Sequence, residues 1–259
     1  MGSEKSLETI LLEKKDGIGI ITLNRPDKLN AVNMTMRREI LSTLSELEAD
    51  EETMVLIVTG AGRGFCSGAD INELAAGTRD SKVAKQTNHS LLVMAKAFYE
   101  FEKPVIGAIN GVAAGDGAQW ALAFDLNVAS DKAKFAWPAT NLGILCPYGI
   151  IRLPSEVGRF KAKEVLMTAK FISAEEAVQW GFVTKVVPPE QLMDTAFELA
   201  ETIKHMPPLS IRAIKKAVNR GMDGYEFAEY ILDTLQSTED AKEGTTAFLE
   251  KRKPNFKGF

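Results

Sequence analysis

The stretch GVAAGDGAQWALAFD, residues 111–125, decides how this chain is read. It follows the apolar run PVIGAIN (104–110) and sets Gly111, Gly115 and Gly117 ahead of an apolar helix beginning near residue 117. Glycines at that spacing let backbone turn tightly and approach a ligand or a neighbouring strand. The helix that follows offers unpaired N–H groups at its start, and their partial positive charge suits an oxygen gaining negative charge. A turn made only for packing carries the same glycines, so the flanking elements have to separate the two readings.

Working outward, GIGIITLN (17–24) is rich in β-branched residues and stops at the turn RPDKLNA. MTMRREILSTLSELEADE (34–51) repeats Ile40, Leu44 and Leu47 at helical spacing. MVLIVTG (54–60) is an apolar strand of the kind buried on both faces. A helix over 82–101, the strand PVIGAIN and the strand LNVAS (126–130) continue an alternation that implies βαβ crossovers. Beyond residue 150 the pattern turns helical, with one more strand at VTKVV (183–187). Ser173 and Glu176 stand at the two positions of a capping box, and proline pairs at 188–189 and 207–208 open two further helices. The fold class is therefore α/β, with a core over 1–190 and a helical C-terminal part over 191–259.

A net charge of −4 argues against a nucleic-acid binder, because phosphate contacts need concentrated Lys and Arg. No apolar run is long enough to span a membrane. Cys66 and Cys146 form neither a metal pattern nor a disulfide framework, and no secretory leader pattern opens the sequence. A reducing compartment such as the cytoplasm is expected.

A second glycine-rich loop, TGAGRGFCSGAD (59–70), also follows a strand. A dinucleotide fingerprint starting at Gly60 would need glycine where Phe65 stands, and no helix pattern begins there. Two glycine loops at the ends of core strands lie where open α/β sheets bind ligands.

Together with ITLNRPDKLNAV, GFCSGADINEL, NLGI, ISAEEAVQWGFVTKVV and EGTTAFLEKRKPNF, these loops make the chain resemble the crotonase superfamily, also called the enoyl-CoA hydratase/isomerase family, nearly from end to end. The resemblance implies a spiral of ββα turns, a helical trimerisation region, a homotrimer or dimer of trimers, and an acyl-CoA substrate. It implies no cofactor beyond the CoA moiety and no metal. By motif, the amides of Ala69 and Asp116 form an oxyanion hole for the thioester oxygen. Lys28, Leu29, Ala69, Asp70 and Ile71 match the stretch that holds the adenine and pantetheine arm. KRKPNFK (251–257) adds positive charge near the C-terminus.

Two positions depart from the family pattern. Gln119 and Ala139 stand where the resemblance places the hydratase glutamates. Glutamine holds a group but takes no proton near neutral pH, and alanine does neither. An enolate chemistry that is not two-carboxylate hydration is therefore expected, with decarboxylation or acyl-CoA binding without turnover as alternatives. RNA binding, found in one branch of the family, has no dense Lys/Arg helix behind it. Asp116 stands where glycine is typical and is a candidate base. Asn141, Cys146, Tyr148 and His89 are further candidates for the acyl pocket, with packing or surface exposure as the alternative for each. Trp120, Phe135, Trp137 and Tyr148 suit either a bulky acyl chain or an aromatic core.

Overall fold

The computed structural model describes residues 3–79, 92–221, 231–232 and 234–258. Three buried runs explain its centre: IGIITL (β3, Ile18–Leu23), VLIVTG (β4, Val55–Gly60) and VIGAI (β6, Val105–Ile109). Side chains alternate across each strand. Ile21, Leu23, Leu56, Val58, Val105 and Ile109 enter one core, while Ile18, Ile20, Val55, Ile57, Ile106 and Ala108 enter a second on the opposite face. Strands buried on both faces read as unbroken apolar runs, as these do.

These three strands lie side by side and parallel in a seven-stranded sheet. On one side it is extended by the antiparallel β1 (Ser3–Ser6) and β2 (Ile10–Lys15), on the other by β8 (Leu126–Ser130) and β11 (Lys185–Val187). A four-stranded sheet holds β5 (Gly64–Cys66), β7 (Val112–Ala114), β9 (Lys134–Ala136) and β10 (Ile172–Ser173). Each turn of chain contributes one strand to each sheet: β4 then β5, β6 then β7, β8 then β9. That is the ββα spiral expected above. The strands β5, β7 and β9 were not visible in the sequence, because three residues are too few for a periodicity. Consequently residues 112–114, read as part of a loop, are a strand, and the helix after them starts at Asp116.

The capping box forms as expected. The Ser173 side chain accepts from the Glu176 N–H, and the Glu176 carboxylate accepts from the Ser173 N–H. Of the helix expected over 82–101, residues 92–100 are helical and the others before them lie outside the described residues, with His89 among them. The helix Leu192–Lys204, grouped in sequence with the C-terminal part, lays Leu192, Ala196 and Ala200 on the second core. At the C-terminus, Arg252 pairs with Glu243 and Glu250, and Asp240 accepts the N–H groups of Lys257 and Gly258. The basic stretch 251–257 is thus folded onto the helix Glu239–Glu250. Trp120, Phe135 and Trp137 are fully buried in the main core, so the aromatic-core alternative holds for them.

Candidate active site

The site begins with a buried asparagine. Asn30, in left-handed backbone, accepts the Arg25 N–H and donates to the carbonyls of Ala61, Gly64 and Phe65. These bonds fasten the RPDKLNA turn to β5. The chain then runs alongside residues 67–70: Ser67 N–H donates to Leu29, Val32 N–H to Gly68, and Asp70 N–H to Val32. In extended backbone successive N–H groups point opposite ways. Gly68 interrupts that alternation, and in the parallel bridge between Val32 and Ala69 it is the residues on either side of Ala69 that bond to Val32, so the Ala69 amide faces away from it.

The second loop meets this one at Gly68 and Gly115. Gly68 has φ +105 and Gly115 φ +53, backbone that residues with a Cβ rarely adopt. A Cβ on Gly115 would lie 3.2 Å from the Gly68 Cα, and one on Gly68 would lie 3.1 Å from the Ala114 carbonyl oxygen and 3.3 Å from the Gly115 Cα. Glycine at both positions brings Ala69 and the N-terminus of the helix Asp116–Ala121 to one place. Among the described residues, neither the Ala69 nor the Asp116 amide has a backbone acceptor.

Both residues line a cavity of about 400 Å³ that also includes Lys28, Asp70, Ile71, Gln119 and Ala139. Leu74, Leu142, Ile144, Leu145, Cys146 and Pro147 make much of its wall apolar. Lys28 is exposed at its edge, and Leu29 supports it from behind by accepting the Ser67 N–H. Asp70 is held by Arg25, both of whose terminal nitrogens reach its Oδ2 at 3.1 Å. Burial pushes the Asp70 carboxyl up, but the Asn72 amide and Arg25 outweigh it and keep it below the ordinary carboxylate range.

Two of the expected contacts are absent. Asn141 is exposed on the 3₁₀ turn Pro138–Leu142 and does not line the cavity. Tyr148 does not line it either; its ring packs against Tyr99 at 6.2 Å, and only its N–H reaches the site, donating to Gln119. The sequence pattern puts Tyr148 beside the cavity, but it lies in the first turn of the helix Pro147–Val157 with its ring in the core.

Gln119 ties the site together. Its Oε1 accepts from the N–H groups of Tyr148 (2.8 Å) and Gly149 (3.3 Å), and its Nε2 donates to Asp116 Oδ1 at 3.3 Å. The two backbone donors settle which way the amide points. Asp116 is buried, and the Arg37 guanidinium stands 3.6 Å from its Oδ2, an ion pair beyond hydrogen-bonding reach. Burial pushes the Asp116 carboxyl up to about 6, against the pull of Arg37 and Gln119.

Arg37 was not recognised in the sequence, although it sits three residues before Ile40 on the core-facing stripe of its helix, where an arginine needs a buried partner. Asn30 was missed too. Cys146 is buried at the same wall, and burial raises its thiol to about 11. Cys66 lies fully buried behind the loops, its thiol also raised by burial. His205 is exposed, its Nδ1 2.6 Å from the Glu201 carbonyl and far from this cavity's lining. Among the described residues no cluster of three metal-binding side chains occurs, and no helix is long and apolar enough to cross a membrane.

The chain shares this architecture with known proteins. A short-chain-enoyl-CoA hydratase of Clostridium acetobutylicum is 38% identical over 256 residues, spanning 95% of this chain and 97% of the relative. A 1,2-epoxyphenylacetyl-CoA isomerase of Escherichia coli is 36% identical over 262 residues, spanning 97% and 99%. The crystal structure of an enoyl-CoA hydratase from Bacillus anthracis superposes with a TM-score of 0.93 at 32% identity, covering 97% of this chain and 100% of that one. The model of the family described as enoyl-CoA hydratase/isomerase matches residues 13–258, so the two-sheet spiral and its paired glycine loops belong to a chain that is a member of the enoyl-CoA hydratase/isomerase family.

Proposed function

We propose that this protein acts on acyl-CoA thioesters by holding the thioester oxygen between the amides of Ala69 and Asp116 and drawing charge onto it as an enolate. The observation that carries this reading is the meeting of the two loops: two backbone N–H groups without backbone acceptors border an apolar-walled cavity. One such donor aimed at a developing oxyanion is worth about 3 kcal/mol. The CoA arm would pass Lys28, Leu29, Asp70 and Ile71, with the acyl chain against Leu142, Ile144 and Leu145.

The reaction is not a two-glutamate addition of water. Gln119 and Ala139 both line the cavity, and neither serves as a carboxylate acid or base. A substrate carrying its own carboxylate, as decarboxylation needs, would meet Asp116 inside the cavity and, among the described residues, only the exposed Lys28 as a lining cation. That disfavours the decarboxylase alternative. No cofactor beyond the CoA moiety is needed. Exposed Phe160, Met167, Phe171, Phe248 and Leu249 support a homotrimer or a dimer of trimers, which light scattering would measure.

Steady-state assays with crotonyl-CoA and 3-enoyl-CoA test the proposal. Slow or absent hydration beside measurable conversion of another thioester is expected. Hydration of crotonyl-CoA at rates ordinary for hydratases would overturn it, and binding of CoA esters with no product from any of them would instead identify a binding protein.

A further inference from the structure

We infer that the Asp116 side chain is the proton-transfer group of this cavity, positioned by Gln119 and Arg37, and that the reaction is proton abstraction and return beside the thioester. This rests on the reading that the Ala69 and Asp116 amides hold the thioester oxygen.

Among the described residues, four ionisable side chains line the cavity: Lys28, Asp70, Asp116 and Cys146. Lys28 is exposed at the edge. Asp70 is occupied by Arg25 and the Asn72 amide. Cys146, raised to about 11, keeps its proton at neutral pH. Asp116 differs from all three. Its Oδ1 takes the Gln119 amide, while its Oδ2 is buried and accepts no hydrogen bond. A buried carboxylate oxygen without a donor is costly and calls for a reason. Accepting a proton from substrate is such a reason.

The surroundings hold the carboxyl in place, Oδ1 on Gln119 and Oδ2 against Arg37. Gln119 is anchored by two N–H groups of the helix Pro147–Val157, so its Nε2 fixes the Asp116 carboxyl. The ionisable groups around Asp116 are Arg37 on the helix Met34–Ala49, Glu73 behind Arg37 on the helix Ile71–Arg79, Cys66 on β5, and Cys146. Its carboxyl, raised to about 6, is ionised at neutral pH yet more basic than an ordinary aspartate.

In the step itself the carboxylate takes a proton from the carbon next to the thioester carbonyl. The C–H electron pair becomes the C=C bond of the enolate, and the carbonyl π pair moves onto the oxygen held by the two amides. Return of the proton to the same carbon gives exchange; return to the far end of an enoyl system shifts the double bond. No co-reactant is required. Negative charge passes from the carboxylate to the thioester oxygen while Arg37 stays a fixed cation.

The test is α-proton exchange in D2O, followed by mass spectrometry, with butyryl-, hexanoyl- and phenylacetyl-CoA as probes. The wild type is expected to incorporate deuterium, and Asp116→Asn, which keeps the backbone N–H, to do so about 10²–10⁴-fold more slowly. Affinity for the same esters should stay within a few-fold, which also reports that the variant is folded. Arg37→Gln, removing the opposite charge, should move the acid limb of the exchange profile upward by about 1–3 pH units. An Asp116→Asn variant that exchanges at the wild-type rate overturns the assignment and leaves the acyl-CoA reading standing. So does a wild-type profile that is flat between about pH 5 and 8, a measurement that needs no variant. Esters that bind the wild type without exchanging overturn it as well. Failure of every ester to bind would overturn the underlying reading instead.

Discussion

Two largely buried ion pairs of this molecule, Lys215–Asp125 and Arg37–Asp116, are built differently. Lys215 Nζ lies 2.8 Å from Asp125 Oδ2 and also reaches the Lys103 carbonyl at 3.1 Å, while the same Asp125 oxygen accepts the Val105 N–H at 2.7 Å. Arg37 and Asp116 stand 3.6 Å apart, with Arg37 Nε and Asp116 Oδ2 both lacking hydrogen-bond partners. In both pairs burial raises the carboxyl, and it also lowers Lys215, so attraction does not repay desolvation in either. What separates them is satisfaction. The first joins the helix Pro208–Arg220 to β6 and the turn before it, with Lys215 donating to Asp125 Oδ2 and to the carbonyls of Phe98 and Lys103. Both pairs border cavities, but in the second Asp116 Oδ2 is buried against Arg37 without a hydrogen-bond donor. The Lys215 ammonium gives its protons to acceptors, whereas Arg37 Nε and Asp116 Oδ2 are left without partners.

Breaking the closed pair should have the largest effect on stability. Lys215→Met leaves Asp125 buried and uncompensated, and should cost about 3–5 kcal/mol by urea unfolding. The affinity for CoA esters of the folded fraction should be unchanged.

The open pair should reveal itself through pH. The folded Asp116 carboxyl, at about 6, lies above its unfolded value, so the native state binds the extra proton between about pH 4 and 6. Stability therefore falls as pH rises through that window. Relative to Asp116→Asn, the wild type should lose about 2–3 kcal/mol from pH 4 to 7 and be level above that. Denaturation curves at several pH values measure it, and a wild type that gains stability relative to the variant as pH rises would contradict the burial described here.

Gln119→Glu sharpens the comparison further by setting a second carboxyl 3.3 Å from the first. The two would share a proton at pH 5 and repel at pH 8, with an expected loss of about 1–2 kcal/mol at the higher pH only. At the small end, Lys28 is exposed at the edge of the cavity. Lys28→Ala should weaken CoA-ester binding about 2–5-fold at low salt, and the effect should vanish as salt screens the contact.

Much of this was legible beforehand. The unbroken apolar runs of β3, β4 and β6, the helical stripe of Ile40, Leu44 and Leu47, and the Ser173 capping box each follow from local pattern, and each formed. The two glycine loops were legible because close backbone approach leaves a glycine signature, and the family resemblance then pointed to the Ala69 and Asp116 amides within them. The three-residue strands were not, since so short an element is set by the sheet it joins. Nor was Arg37 found, because its partner lies far along the chain and no spacing announces it.

The sequence by itself determined the class of fold, the two loops and the residues at 119 and 139, because periodicity, glycine content and side-chain identity are local properties. Only the tertiary structure decided that Gln119 is a brace between a helix start and a carboxylate, that Tyr148 turns its ring into the core, and that Asp116 is buried beside a cation with one oxygen unclaimed. Burial and hydrogen-bond satisfaction belong to the packed chain, and they set how strongly a carboxyl holds its proton.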